Sequence, residues 1–151
     1  MYKYSNLYCA LKSDPCFSTL VSLIDLAELT DAVKARKCTT LFAPNNKAFA
    51  KLPADTLKFL TDPANKSSLK SVLLYHLTDK CIPSSKLSNG EELKMLNKQD
   101  TEVVKNCCGL FIKDYAKNES KVYGKDWYVC KCNVIHKICE VLIPNLEPKL
   151  E

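Results

Sequence analysis

Apolar residues recur at helical spacing in the first half of the chain and at strand spacing in much of the second. Tyr4, Leu7, Tyr8 and Leu11 share one side of a short helix over Tyr2–Leu11, which Ser13-Asp14-Pro15 breaks. Phe17, Leu20, Val21 and Ile24 predict an amphipathic helix over Pro15–Ile24. Thr30-Asp31 caps a further helix with Leu29 and Val33 turned inward, and Arg36-Lys37 near its end suit the helix dipole. Another helix restarts at Leu52-Pro53-Ala54-Asp55 and carries Leu57, Phe59 and Leu60 to the turn at Asp62-Pro63. The best helix begins at Asn65 or Ser67, because Leu69, Val72, Leu73 and His76 then fall on one face.

From Cys81 to Ile143 the period shortens to that of strands. Pro83–Leu87 reads as a one-turn helix and Asn89-Gly90 as a turn. Strands are expected at Leu93–Leu96, Glu102–Lys105, Leu110–Lys113, Lys121–Tyr123, Trp127–Lys131, Val134–Ile138 and Val141–Ile143. Helices followed by strands predict an α+β domain. No internal repeat is present.

The stretch Thr40–Phe49 organises the rest. Leu41-Phe42-Ala43 is a short buried strand, and Pro44 stops it because it has no N–H to give to a ladder. Asn45 and Asn46 can each cap a helix start, and Ala48-Phe49 opens an apolar face.

At 151 residues the chain is large enough for one domain with a real core. No apolar run has the length of a membrane span. The net charge of +5 comes from lysine, with Arg36 the single arginine, which describes a solvated surface rather than a nucleic-acid reader. Nine cysteines (Cys9, Cys16, Cys38, Cys81, Cys107, Cys108, Cys130, Cys132 and Cys139) are spread along the chain. Such scatter suits a disulfide framework in an oxidising compartment, the alternative being buried reduced thiols in a cytosolic protein, and the odd count leaves at least one thiol free or paired outside the chain. The sequence leaves the pairing open. Asn65-Lys66-Ser67 and Asn118-Glu119-Ser120 are glycosylation sequons in polar surroundings. Met1–Ser5 lacks the apolar core of a secretory signal, so the chain is either not exported or a mature fragment with a starting Met. Leu150-Glu151 reads as a cloning scar.

Three segments carry a family resemblance. Thr40-Leu41-Phe42-Ala43-Pro44-Asn45-Asn46-Lys47-Ala48-Phe49 is similar to the first signature of fasciclin (FAS1) domains. Leu73-Leu74-Tyr75-His76-Leu77 resembles the family's Tyr-His segment. Val134-Ile135-His136-Lys137-Ile138 through Val141-Leu142-Ile143-Pro144 resembles its second signature. The resemblance implies a β-sandwich or wedge of about seven short strands with several helices packed along one side. It places one such domain over residues 1–146, with residues 147–151 as a tail. It further implies a secreted or surface-displayed adhesion or matrix module, bound to a cell-surface or matrix protein or a polysaccharide.

The residues implied to carry the motif are Thr40, Phe42, Ala43, Pro44, Asn46, Phe49, His76, Val134, Ile135, His136 and Pro144. The Tyr-His segment is associated in the family with integrin-dependent adhesion, which points to Tyr75 and His76 as binding residues. An Asp-Ile pair carried by some adhesive members would fall near Trp127-Tyr128; it is missing, and Asp126 is adjacent. Asn133 stands where the second signature has Gly, Cys132 where it has Asn, and Cys139 where it has Asp. Covalent links in place of polar ones at this corner would each contribute about 2–4 kcal/mol.

Read for chemistry, His76 lies on the apolar face of its helix and is expected to be a hydrogen-bonded core histidine locking helix to sheet. Alternation puts Val134, His136 and Ile138 on one side of their strand, again a structural place. Cys130, Cys132, His136 and Cys139 are zinc-ligand types, but Cys-x-Cys is not the usual zinc bite and a strand splays His136 from Cys139. There is no Gly-x-Ser-x-Gly elbow, and three glycines, Gly90, Gly109 and Gly124, make no phosphate-cradling loop. No enzyme, cofactor or metal is expected. Two rivals remain. One is a carrier of an apolar small molecule such as a carotenoid or lipid, as in some algal proteins of this family, in a groove lined by Phe17, Leu20, Ile24, Leu57, Phe59 and Leu60. The other is a structural component of a coat, wall or particle, a disulfide-linked oligomer joined through the unpaired cysteine.

Overall fold

The helices of this chain lie on one side of a strongly curved sheet, as their apolar faces require. The computed structural model describes residues 7–35, 38–52, 54–107, 109–114, 118–129 and 133–142, without the side chains of 125, 126, 128 and 129. Outside the described residues lie the expected start of the first helix at Tyr2, Arg36-Lys37, Cys108, Cys130, Cys132, Ile143, Pro144 and the tail 147–151.

Helix α1 (Leu7–Lys12) and helix α2 (Ser18–Leu26) flank a tight turn at Pro15–Phe17, where Asp14 accepts from Cys16 N at 2.9 Å. The helix expected over Pro15–Ile24 therefore begins as a single 3-10 turn, because proline fixes the first φ and Asp14 caps it locally. Helix α3 (Thr30–Ala35) leads to strand β1 (Thr40–Pro44). Helices α4 (Asn46–Ala50), α5 (Ala54–Thr61) and α6 (Lys66–Leu74) follow. The remaining strands are β2 (Leu77–Thr78), β3 (Glu92–Lys94), β4 (Asp100–Asn106), β5 (Gly109–Lys113), β6 (Glu119–Val129) and β7 (Asn133–Ile138).

The strands form one sheet in the order β2-β1-β7-β6-β5-β4-β3. Its outer strands approach each other: Thr78 bridges to Met95, and Leu96 N donates to Leu77 O at 2.8 Å. The sheet is thus nearly closed, which leaves little free strand edge. β1 and β7 run parallel and pair Thr40 with Val134, Phe42 with His136 and Pro44 with Ile138.

Two apolar clusters fill the fold. Leu41, Ala43 and Ile135 face the helices and pack with Phe17, Leu20, Leu69 and Val72. Phe42 and Ile138 face the sheet interior with Tyr75, Met95, Val103 and Ile112. β1 and β7 are buried on both faces, which is why Leu41-Phe42-Ala43 and Val134-Ile135 read as continuous apolar runs. Each fully buried Leu, Ile or Phe contributes about 1.5–3 kcal/mol.

Three expectations change. Lys121–Tyr123 and Trp127–Val129, the described part of the strand expected at Trp127–Lys131, belong to one strand, β6, kept continuous by register shifts around Gly124. The strand expected at Val141–Ile143 is absent at Val141 and Leu142, both buried outside any strand. The Leu142 N–H leaves the sheet and bonds a side chain instead. The two-residue β2 was not foreseen.

Candidate functional site

The corner where β1 meets β7 is built from side chains that bond backbone. Thr40 comes first: its hydroxyl donates to Lys80 O at 2.6 Å and accepts from Ile82 N at 2.7 Å. His136, two pairs further along the ladder, presents Nε2 to Ile82 O at 2.9 Å. A carbonyl only accepts, so Nε2 carries the proton. The two side chains hold the segment after β2 against the sheet. Phe42 lies beside the His136 ring with centroids 5.6 Å apart. Asn133, in the place of the signature's glycine, accepts from Thr39 N at 2.9 Å through Oδ1.

His76 follows α6 and is wholly buried. Its Nδ1 lies 2.7 Å from Val72 O and must donate, so the bare Nε2 accepts from Leu142 N at 3.0 Å. Desolvation lowers its pKa to about 4, opposed by the bond to Val72. The imidazole is therefore neutral at pH 7. Tyr75 beside it is also wholly buried and donates its hydroxyl to Asp100 O at 2.8 Å.

The two asparagines after Pro44 have separate tasks. Asn45 caps its own helix, accepting from Ala48 N at 2.8 Å, and donates to the Tyr123 hydroxyl at 3.1 Å. Asn46 reaches across to the start of α2, accepting from Thr19 N at 2.9 Å and donating to Pro15 O at 3.0 Å. Phe49 is buried behind them. A cleft of about 300 Å³ opens here between Cys16, Asn46, Lys47 and the half-exposed Tyr123.

Two polar clusters decorate the exterior. Lys137 lies 4.9 Å from the Trp127 ring centre, 5.8 Å from that of Phe17 and 3.7 Å from Asp14. Tyr8 donates to Asp25 at 2.8 Å, Thr30 donates to the same carboxylate, and Lys12 and Lys34 lie over the Tyr8 ring. Thr30's hydrogen bond is the main cause that holds the Asp25 carboxyl below its usual range, and that carboxylate pushes the Tyr8 phenol up.

The family model of the Fasciclin domain matches residues 15–144. This chain belongs to the fasciclin domain family. A Synechocystis protein, sll1483, is 34% identical over 130 residues, covering 86% of this chain and 68% of that protein. Human periostin is 30% identical over 95% of this chain and 16% of its own length. Rabbit transforming growth factor-beta-induced protein ig-h3 is 29% identical over 89% of this chain and 18% of its own. A solved FAS1 domain pair from the insect cell adhesion molecule Fasciclin I superposes with a TM-score of 0.76 at 21% identity, covering 95% of this chain and 52% of that one. This chain thus spans most of the cyanobacterial relative and under a fifth of the two animal proteins.

Within this fasciclin domain the motif residues Thr40, Phe42, Ala43, Pro44, Val134, Ile135 and His136 share one parallel ladder, and His76 joins it directly, its backbone O accepting from Phe42 N at 2.8 Å. Pro144 lies outside the described residues, as does the side chain of Asp126, whose backbone is in β6. Tyr75 and His76 are enclosed, so a partner meets them only through the segments they hold. Among the described residues no three of His, Cys, Asp and Glu converge on a metal position, and the His136 Nε2 is spent on Ile82 O. Cys16 is an exposed free thiol and Cys139 a half-buried one; Cys9, Cys38 and Cys107 are exposed and Cys81 is half-buried.

Phe17, Leu20, Ile24 and Leu60, expected to line a carrier groove, are buried, and Leu57 and Phe59 are half-buried. An apolar cavity beside Leu20, Ile24 and Leu73 measures about 10 Å³, room for roughly one water. Sequence reasoning missed the Tyr8–Asp25–Thr30 cluster; its one sequence signal was Thr30 at a helix start.

Proposed function

We propose that this domain is a secreted or surface-displayed, non-catalytic adhesion or matrix-interaction module that works through its exterior. One observation carries the reading: His76 of the Tyr-His segment and His136 of the second signature are wholly buried and bonded to backbone, so the shared motif is spent on building the fold. Binding then falls to exposed residues outside the motif. The match to a domain pair from a cell adhesion molecule supports the same role. Lys80, Lys94 and Lys98 are exposed and lie along the chain at the seam where β2 meets β3. Their charges suit an anionic cell-surface or matrix partner. Disulfides among the scattered cysteines stiffen the loops in this setting.

The test is attachment of cells and of matrix polysaccharide to the immobilised domain. Alanine at Lys80, Lys94 and Lys98 together lowers attachment and leaves melting unchanged. Undiminished attachment across all exposed lysines contradicts the reading. Intact mass before and after reduction counts the disulfides.

A further inference from the structure

Ser120 stands on the inner side of β6, opposite Ile112 in the ladder with β5. It is wholly buried, and its hydroxyl has no hydrogen-bond partner among the described residues. An unpaired hydroxyl is an expensive thing to enclose in an apolar interior, and alanine would occupy the same place without that cost. In the folded state this oxygen contributes nothing that the structure shows. Before folding it has a use, because Ser120 is the third residue of Asn118-Glu119-Ser120, the pattern whose hydroxyl is required for glycan attachment to asparagine.

The other end of the sequon is placed to keep a glycan after folding. Asn118 is exposed immediately before β6. It borders a cleft of about 300 Å³ whose other walls include Lys51, Leu52, Thr56, Glu140 and Val141. Leu52 and Val141 offer an apolar surface, while Lys51, Thr56 and Glu140 offer partners for hydroxyl and amide groups. That mixture suits a single sugar ring.

Asn65 differs in each respect. It is half-buried, and its amide nitrogen already donates to Phe59 O at 3.0 Å. Its partner Ser67 is exposed in the first turn of α6, where a hydroxyl costs nothing.

We propose that Asn118 is the N-glycosylated residue of this chain and that the first N-acetylglucosamine rests in the cleft beside it. In the transfer, Asn118 Nδ2 attacks C1 of a lipid-pyrophosphate-linked oligosaccharide. The Nδ2–C1 bond forms, the C1–O bond breaks, the lipid pyrophosphate leaves with the bonding pair, and one amide proton passes to solvent. Ser120 disappears into the core once β6 pairs with β5, so transfer precedes closure of the sheet.

The proposal needs passage through a secretory lumen but not adhesion. The full chain is therefore expressed behind a secretion leader in a eukaryotic cell, which makes the outcome independent of the function proposed above. Peptide mapping after peptide N-glycosidase, which leaves aspartate at each former glycan site, reads the result. Conversion at Asn118 and none at Asn65 is expected, with the glycan lost in Ser120→Ala and kept in Ser120→Thr. In glycan-free protein from bacterial cytoplasm, Ser120→Ala melts no lower than the parent. Nuclear Overhauser contacts from the sugar's acetyl methyl to Leu52 or Val141 place the first ring. An unmodified Asn118 in the secreted protein, a glycan at Asn65 alone, or a Ser120→Ala variant melting well below the parent overturns the assignment. Absence of those contacts overturns the seat in the cleft.

Discussion

Leu142 gives its backbone N–H to Nε2 of His76 at 3.0 Å, although the two are 66 residues apart. The bond ties the end of α6 to the chain that leaves β7. It also sets a pH dependence. The folded pKa of His76 is about 4, against 6.5 for an unburied imidazole. Between these values the unfolded chain binds the extra proton, so stability rises with pH there. The contribution is complete above about pH 6.5 and is lost as pH falls toward 4, on the order of 3 kcal/mol in all. Urea unfolding at a series of pH values measures this. His76→Gln flattens the slope in that window and lowers stability at neutral pH by about 1–3 kcal/mol.

Thr40 is the second fastener. Thr40→Val keeps the shape and leaves both Lys80 O and Ile82 N without their partner. Roughly 2–4 kcal/mol of stability goes with it, while Thr40→Ser loses less. Denaturant midpoints at constant slope check the difference.

Asn46 carries more than Asn45. Asn45→Ala removes one local cap, about 1 kcal/mol. Asn46→Ala unties α2 from α4, leaving Thr19 N and Pro15 O without its amide. Thermal melts are expected to rank Asn46→Ala below Asn45→Ala.

The sequence shows the parts of this fold that local chemistry decides. Pro44 and the capping Asn45 bound β1 and α4, and the spacing of Leu69, Val72, Leu73 and His76 set the inward face of α6. What escaped is decided by distant partners. β2 is two residues long and exists because Leu41 and Leu77 pair. Val141-Leu142 has the composition of a strand, but His76 takes the Leu142 N–H. The family association points to Tyr75 as a binding residue, but its hydroxyl is turned inward onto Asp100 O. Ser120 stands in polar surroundings before the strand expected from Lys121 and is instead enclosed by β6, which begins two residues earlier at Glu119.

Gly124 marks the β6 irregularity for a steric reason. A Cβ there would meet Lys137 Cδ at 2.9 Å. Gly124→Ala therefore displaces Lys137 from Trp127 and Phe17, at a cost of about 1–3 kcal/mol. Trp127 is the single tryptophan, so its fluorescence reports the displacement directly.

His76 and His136 are internal fasteners, and recognition lies outside them. Nitrogen-resolved NMR of the two imidazoles in the folded protein tests this most directly. His76 is expected to be protonated on Nδ1 and His136 to carry its proton on Nε2 at neutral pH, with His76 still neutral near pH 5. A His76 that titrates near 6.5 with fast solvent exchange would contradict this.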